Sequence, residues 1–160
     1  MSLTGTLTAL NEGGVEYVVI GGVAATAQGS AYVTFDVDIC YARTDDNQMR
    51  LVTVLQRLKA YLRGVEPGLP FTLDARTLRN TPALTLVTSE GDLDVMDRVG
   101  GVGEYEAVLA ASEPTSLFSV PTRVLSLDAL IASKRAVARA KDQIALVELE
   151  ALRELRRGKG

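Results

Sequence analysis

The sequence predicts an α/β (α+β) domain in which a small mixed β-sheet is flanked by helices. Several short segments alternate apolar and polar residues, as strands with one packed face do. Other segments repeat apolar residues every three or four positions, as amphipathic helices do. Strands and helices mix without strict alternation, which favours a mixed sheet. With 160 residues, 47% of them apolar, residues 1–160 are predicted to form one domain.

The N-terminal half is predicted to contain three helices and two strands. In chain order these are a helix at 3–10, an apolar strand at 15–20, a helix of small residues at 22–28, an acidic strand at 33–42, and a longer helix. Asp45 or Asp46 can cap that longer helix. Its apolar face is predicted from the spacing of Leu51, Leu55, Leu58 and Leu62.

The C-terminal half is predicted to begin with a loop rich in glycine and proline. Two strands around a turn at 89–92 follow, and then a short helix. The next segment is either a strand pair or an extended segment broken by Pro121, and two helices complete the chain. These elements cover residues 64–70, 84–87 and 93–96, 105–111, 117–125, 127–140 and 142–157.

The composition excludes several kinds of active site. The chain has no histidine, which excludes Ser-His-Asp triads and histidine zinc sites. Acid–base chemistry must therefore use Asp, Glu, Lys, Tyr or water. The lone Cys40 excludes an internal disulfide and fits a reducing compartment. No segment has the pattern of a signal peptide or a membrane span, so we expect a cytoplasmic protein with no membrane contact.

Charge is distributed unevenly along the chain. The net charge is −3, but residues 134–160 carry eight Lys or Arg against four Asp or Glu. A basic segment is typical of contact with phosphates, although such charges more often lie on the solvated face of a helix. The few aromatic residues show no arranged stacking platform, so an RNA acceptor is only weakly supported.

Asp36 and Asp38 are the most informative pair in the sequence. On a strand they share one face, while Val37 and Ile39 pack behind them. Two neighbouring carboxylates repel each other, and a divalent cation such as Mg²⁺ between them relieves the repulsion. The alternative is a solvated pair on an edge strand or at the start of a turn. The alternation of apolar residues from 35 to 41 argues against that alternative.

Gly21 and Gly22 end the first strand and begin a short helix. Backbone without Cβ atoms can approach a phosphate closely, and the free N–H groups of a helix start attract anions. Alone, two glycines after a strand are common in turns. Beside a carboxylate pair they indicate phosphoryl or nucleotidyl transfer.

A third carboxylate is expected because two metal ions usually need more than two acidic ligands. Asp94 lies among apolar residues of a predicted strand, where an unpaired acid is unusual. Asp92 shares its face but is interpreted as a turn residue, and it is the reserve candidate. The prediction requires that Asp36, Asp38 and Asp94 converge and that no arginine or lysine occupies the space between them.

Lys134 and Lys141 are seven residues apart and share a face if one helix carries both. They are either a pair of ammonium groups that binds a triphosphate or a solvent-facing pair, with Lys141 in a salt bridge. Asp142 is predicted to cap the last helix or to orient Lys141.

These motifs together resemble the signature of the DNA polymerase beta-like nucleotidyltransferase superfamily. The signature is Gly21-Gly22, a spacer of thirteen residues, Asp36-Val37-Asp38 and a later Asp94. More closely, the chain is similar to minimal nucleotidyltransferases and abortive-infection type IV toxin enzymes. Two positions depart from that pattern. Tyr32 stands where many relatives carry Arg, and no His lies near Gly29.

The resemblance implies a palm-like sheet with C-terminal helices and a set of site residues. Asp36, Asp38 and Asp94 would bind two Mg²⁺ ions, or Mn²⁺, and Asp94 would help to activate an acceptor hydroxyl. That hydroxyl would attack the α-phosphate of a nucleoside triphosphate, and pyrophosphate would leave. Residues expected to bind the nucleotide are Gly21, Gly22, Ser30, Thr34, Lys134 and Lys141.

The acceptor stays open among RNA (tRNA in particular), a protein and a small molecule. Two alternatives to an active enzyme also stay open. One is a nucleotide-binding module without turnover, which the missing Arg and His suggest. The other is a component of a toxin–antitoxin pair that binds a partner protein.

Overall fold

The computed structural model describes residues 3–31, 34, 36–66, 73–137 and 140–159. Within them the helices are α1 (Leu3–Glu12), α2 (Gly21–Ala27), α3 (Asp45–Arg57), α4 (Ala75–Asn80), α5 (Tyr105–Ala110), α6 (Leu127–Val137) and α7 (Ala140–Lys159). The strands are β1 (Tyr17–Ile20), β2 (Val37–Tyr41), β3 (Tyr61–Leu62), β4 (Ala83–Thr88), β5 (Gly91–Met96), β6 (Arg98–Val99), β7 (Gly103–Glu104), β8 (Ser112–Leu117) and β9 (Val120–Leu125).

The main sheet is mixed and has seven strands, in the order β3-β4-β5-β2-β1-β9-β8. Two neighbouring pairs are parallel, β2 with β5 and β1 with β9, and the other pairs are antiparallel. Strands β6 and β7 form a separate small hairpin. The predicted mixed sheet flanked by helices is therefore confirmed.

The core lies around the middle of this sheet, because the central strands bury their apolar side chains most completely. All four residues of β1 are buried. On β5, Leu93 and Val95 are buried, whereas the alternate residues Asp92 and Asp94 are partly exposed. One face of β5 therefore packs into the core while the other carries acidic side chains, as the strand period of two requires.

Several predicted boundaries differ from the observed ones for local reasons. The cap of α3 is Thr44, whose side chain accepts a hydrogen bond from the backbone N–H of Asn47, so the prediction of Asp45 or Asp46 as the cap was wrong. Helix α3 ends at Arg57, and Lys59 adopts a left-handed φ of 56°. Leu62 consequently belongs to β3 and not to the helix, which corrects the predicted apolar face.

The predicted turn at 89–92 is shorter in the structure. β5 begins at Gly91, so Asp92 is a strand residue and not a turn residue. Pro121 likewise lies inside β9, where it pairs with Ser116 of β8, so the segment is a strand pair. Helix α4 was not predicted. Residues 32, 33 and 35, which the prediction placed at the start of the acidic strand or just before it, lie outside the described part of the chain.

None of the helices in the described ranges combines the length and the apolar character needed to cross a lipid bilayer.

Asn47 connects the start of α3 to the ends of two central strands. Its side chain is buried, accepts a hydrogen bond from the backbone N–H of Glu16 at 2.7 Å, and donates to the carbonyls of Glu16 and Ala42 at 3.0 and 2.8 Å. Glu16 directly precedes β1 and Ala42 directly follows β2. One amide therefore fixes the helix against both strands.

Replacing Asn47 by alanine is expected to lower the free energy of unfolding by about 3 kcal/mol, because three hydrogen bonds to backbone groups are lost. Urea unfolding measures this. The control is Thr53→Ala on the exposed face of α3, expected to change stability by less than about 0.5 kcal/mol. Equal effects of the two variants would contradict this account of Asn47.

Candidate active site

The site is built on the parallel pair β2 and β5. Asp38 lies directly opposite Asp94 in the register of that pair, on strands about 4.8 Å apart. The two carboxyl groups form a hydrogen bond with each other. Asp36, just before β2, is close enough to raise the pKa of Asp38. The structure thus places Asp38 beside Asp94, with Asp36 near enough for its charge to act on Asp38.

The crowding of negative charge changes the ionisation of Asp38. Burial, the charge and hydrogen bond of Asp94, and the charge of Asp36 raise the pKa of Asp38 from its ordinary value of 3.8 to about 7. Lys134 acts in the opposite direction. At neutral pH, therefore, Asp38 is protonated much of the time unless a cation binds beside it.

Gly21 lies directly against the Asp38 carboxylate. Its φ of 66° is in the left-handed region, and a Cβ added there would be 2.1 Å from Oδ2 of Asp38. A Cβ on Gly22 would come within 3.0 Å of Thr34. The Thr34 hydroxyl accepts a weak hydrogen bond from the backbone N–H of Asp36 at 3.4 Å. The two glycines therefore let the start of α2 pack onto the acidic segment, which any side chain would prevent.

Ser30 is held by the C-terminal helix. Its buried hydroxyl donates a 2.6 Å hydrogen bond to Glu148 of α7, and the same carboxylate accepts a 3.2 Å hydrogen bond from the backbone N–H of Ala31. Glu148 thereby anchors the segment that leads from α2 toward the acids. Binding of nucleotide by Ser30 remains a prediction.

Lys134 lies close to the carboxylates of Asp38 and Asp142. Its Nζ is 3.1 Å from Oδ1 of Asp142, whose side chain is 3% exposed, and its charge reaches Asp38. Lys134 and Lys141 lie on different helices, α6 and α7, so the condition under which they would share one helix face is not met. The side chain of Lys141 lies outside the described part of the structure. Asp142, expected to cap α7 or orient Lys141, contacts Lys134.

Arg63 is a site residue that the sequence did not predict. It follows the edge strand β3, and its guanidinium lies 2.7 Å from Oδ1 of Asp94 and 3.3 Å from Oδ2 of Asp92. It also donates to the carbonyl of Leu86 at 2.9 Å. The prediction required that no arginine or lysine lie between the acids. Arg63 contacts Asp94, so this requirement is not met beside Asp94. A two-residue strand gives almost no periodic signal, which is why Arg63 could not be placed in advance.

The donor chemistry of the acids fits a hard divalent cation, because carboxylate oxygens are what Mg²⁺ and Mn²⁺ bind. Burial and the neighbouring carboxylates of Asp94 and Asp36 raise the pKa of Asp38, and a bound cation would act against both effects. In the conformation described, however, no group of three or more acidic or cysteine side chains within the described residues is arranged to hold a metal ion. Asp38 and Asp94 are neighbouring carboxylates, and Arg63 is bound to Asp94.

Comparison with solved structures shows which fold this is. The antibiotic-resistance factor ANT(2″)-Ia in solution matches 98% of this chain and 90% of its own, with a TM-score of 0.58 and 15% identity. The lincosamide antibiotic adenylyltransferase LnuA, lincomycin-bound, matches 94% and 95%, with a TM-score of 0.60 and 14% identity. ANT(2″)-Ia in complex with adenylyl-2″-tobramycin matches 96% and 94%, with a TM-score of 0.55 and 16% identity.

The chain has the nucleotidyltransferase fold. The palm-like sheet with C-terminal helices is thus confirmed over nearly the whole chain. No protein-family profile and no curated protein sequence matches the chain.

The raised pKa of Asp38 predicts how stability depends on pH. Unfolded Asp38 titrates near 3.8 and the folded residue at about 7, so the folded protein binds more protons in this window and loses stability as the pH rises through it. Asp38→Asn, which cannot ionise, is expected to be more stable than wild type by about 2 kcal/mol near pH 8 and to differ little near pH 4.

Urea unfolding at both pH values measures the difference. Asp128→Asn is the matched control, because the Asp128 side chain is 79% exposed on α6, and it should show no such pH dependence. A constant stability difference between Asp38→Asn and wild type at the two pH values would contradict the charge crowding described for Asp38.

Proposed function

We propose that this protein is a metal-dependent nucleotidyltransferase that moves a nucleoside monophosphate from a nucleoside triphosphate to an acceptor hydroxyl and releases pyrophosphate. The observation that carries the proposal is the register of β2 and β5, which places Asp38 opposite Asp94 beside the Gly21 turn. The fold shared over more than nine-tenths of this chain with the lincosamide antibiotic adenylyltransferase LnuA, and with ANT(2″)-Ia in complex with adenylyl-2″-tobramycin, supports it.

In this proposal each part of the site has a separate task. Asp36 and Asp38, with Asp94, bind Mg²⁺ or Mn²⁺, which when bound neutralises charge on the attacking and leaving oxygens. Asp94 takes the proton of the acceptor hydroxyl as it attacks the α-phosphate. The backbone at Gly21 and Gly22 approaches the phosphates of the nucleotide.

The remaining contacts to the triphosphate are assigned to side chains on neighbouring elements. The Lys134 ammonium lies close enough to act on Asp38, so it is placed to attract the triphosphate. The further candidates are Ser30 and Thr34, which precede Asp36 in the chain, and Lys141. Buried Asp142 fixes Lys134 and so limits where its charge can reach.

For the acceptor, we propose a small hydroxylated molecule as the first class to test. One structural neighbour is described with lincomycin bound and another with adenylyl-2″-tobramycin. A tRNA or a partner protein is the next class, in line with the narrower resemblance to minimal nucleotidyltransferases and abortive-infection type IV toxin enzymes.

A second candidate function is a catalytically weak nucleotide-binding or partner-binding component of a toxin–antitoxin-type module. The observation that favours it is the Arg63–Asp94 ion pair, which occupies an oxygen that the transfer reaction needs.

Incubation with labelled nucleoside triphosphates and Mg²⁺ or Mn²⁺ tests the first function, with tobramycin, lincomycin, bulk tRNA and the protein itself as acceptors. Wild type is expected to form a labelled product, and Asp38→Asn is expected to be slower by about 10³-fold, because a metal-binding carboxylate is lost. Asp128→Asn, far more exposed, should keep the wild-type rate.

Two outcomes decide against this function. Transfer that survives in Asp38→Asn would show that the chemistry lies elsewhere. Nucleotide binding without product for any of these acceptors would favour the binding module.

A further inference from the structure

Arg63, which directly follows β3, ends a row of paired residues that crosses strands β4, β5 and β2. The Arg63 N–H donates to the carbonyl of Thr85 on β4 at 3.0 Å, Thr85 pairs with Asp94 on β5, and Asp94 pairs with Asp38 on β2. Because paired residues share a face, the Arg63 side chain starts on the same face as both acids. The edge strand thus supplies a cation to a site two strands away.

The length and shape of arginine explain why it reaches the acids and what it does there. Neighbouring strands are about 4.8 Å apart, so the side chain must cross β4 to reach β5. Its planar guanidinium offers several donors at once and contacts both Asp94 and Asp92. Asp92, 37% exposed, lies one strand period from Asp94, on the solvent side of the cluster.

We infer that Arg63 is a positioning residue that occupies the metal-facing oxygen of Asp94 and must give it up before a divalent cation can bind between Asp94 and Asp38. This inference rests on the proposed function and extends it. The Arg63 guanidinium supplies positive charge to Asp94 at the position that the cation would contact. Metal binding and the Arg63–Asp94 ion pair are then mutually exclusive.

Asp92 gives Arg63 a second position. When Asp94 is released, the guanidinium keeps its ion pair with Asp92 and its hydrogen bond to the Leu86 carbonyl, so it moves by a few ångströms and stays beside the site. The freed arginine then lies near the incoming nucleotide as an added positive charge. Asp92 therefore serves Arg63 and is not itself required as a metal ligand.

Mn²⁺ binding to the nucleotide-free protein tests the inference, because it does not depend on turnover. Free Mn²⁺ is measured by electron paramagnetic resonance near pH 8. Arg63→Gln is expected to bind Mn²⁺ about fivefold more tightly than wild type, since the competing cation is gone. Arg63→Lys places a single ammonium group there, which cannot bind two carboxylates as a planar guanidinium does. The Mn²⁺ affinity of this variant should lie between that of wild type and that of Arg63→Gln.

Arg57→Gln is the matched control. Arg57 pairs with Glu12 on the surface, and its side chain is 63% exposed, so the variant should bind Mn²⁺ as wild type does. A parallel measurement is the increase in melting temperature on adding Mn²⁺, expected to be larger for Arg63→Gln than for the other proteins.

Equal or weaker Mn²⁺ binding by Arg63→Gln, with wild type binding normally, overturns this inference alone. Absence of Mn²⁺ binding in all the proteins overturns the metal-dependent function and this inference with it. If Arg63→Gln folds only when Mn²⁺ is added, the competition is supported. If it does not fold at all, Arg63→Lys decides: tighter binding than wild type supports the inference, and equal or weaker binding overturns it.

Discussion

Like-charge repulsion between Asp38 and Asp94 is the constraint around which this site is organised. Parallel pairing of β2 and β5 places the two carboxyl groups directly opposite each other, half-buried and close to Asp36. Rotation of the side chains leaves them close together, because the strand register fixes their Cα atoms. The surrounding structure must therefore supply protons or cations.

The surrounding elements supply positive charge from both sides. On one side, the edge strand β3 leads into Arg63, which binds Asp94 and Asp92. On the other, Lys134 of α6 acts on Asp38 and is fixed by the buried Asp142 of α7. The result is a pair of neighbouring carboxylates with one basic residue on either side. The arrangement is rich in carboxylate oxygens, which a divalent cation prefers.

The parts of the site that could be predicted from the sequence are those specified by neighbouring residues. The period of two identified Asp36, Asp38 and Asp94, and the glycine pair marked a turn where side chains do not fit. Arg63 could not be predicted, because its role depends on the pairing of three strands, one of them two residues long. The Lys134–Asp142 contact was missed because it depends on how α6 and α7 pack against each other, which the pattern within each helix does not specify.

The register of β5 links the core to the chemistry. Leu93 and Val95 are buried to within 1% of full burial, and they alternate with the two acids of the same strand. A slip of one residue would turn Asp94 into the apolar interior and expose both hydrophobic side chains, at a cost far larger than any gain in the site. Insertions or deletions in the long connection between β2 and β5 therefore leave the register of β5 unchanged. Burial of the apolar face of β5 fixes the register of the strand, and so it fixes the position of the Asp94 carboxylate whatever the length of the chain that precedes it.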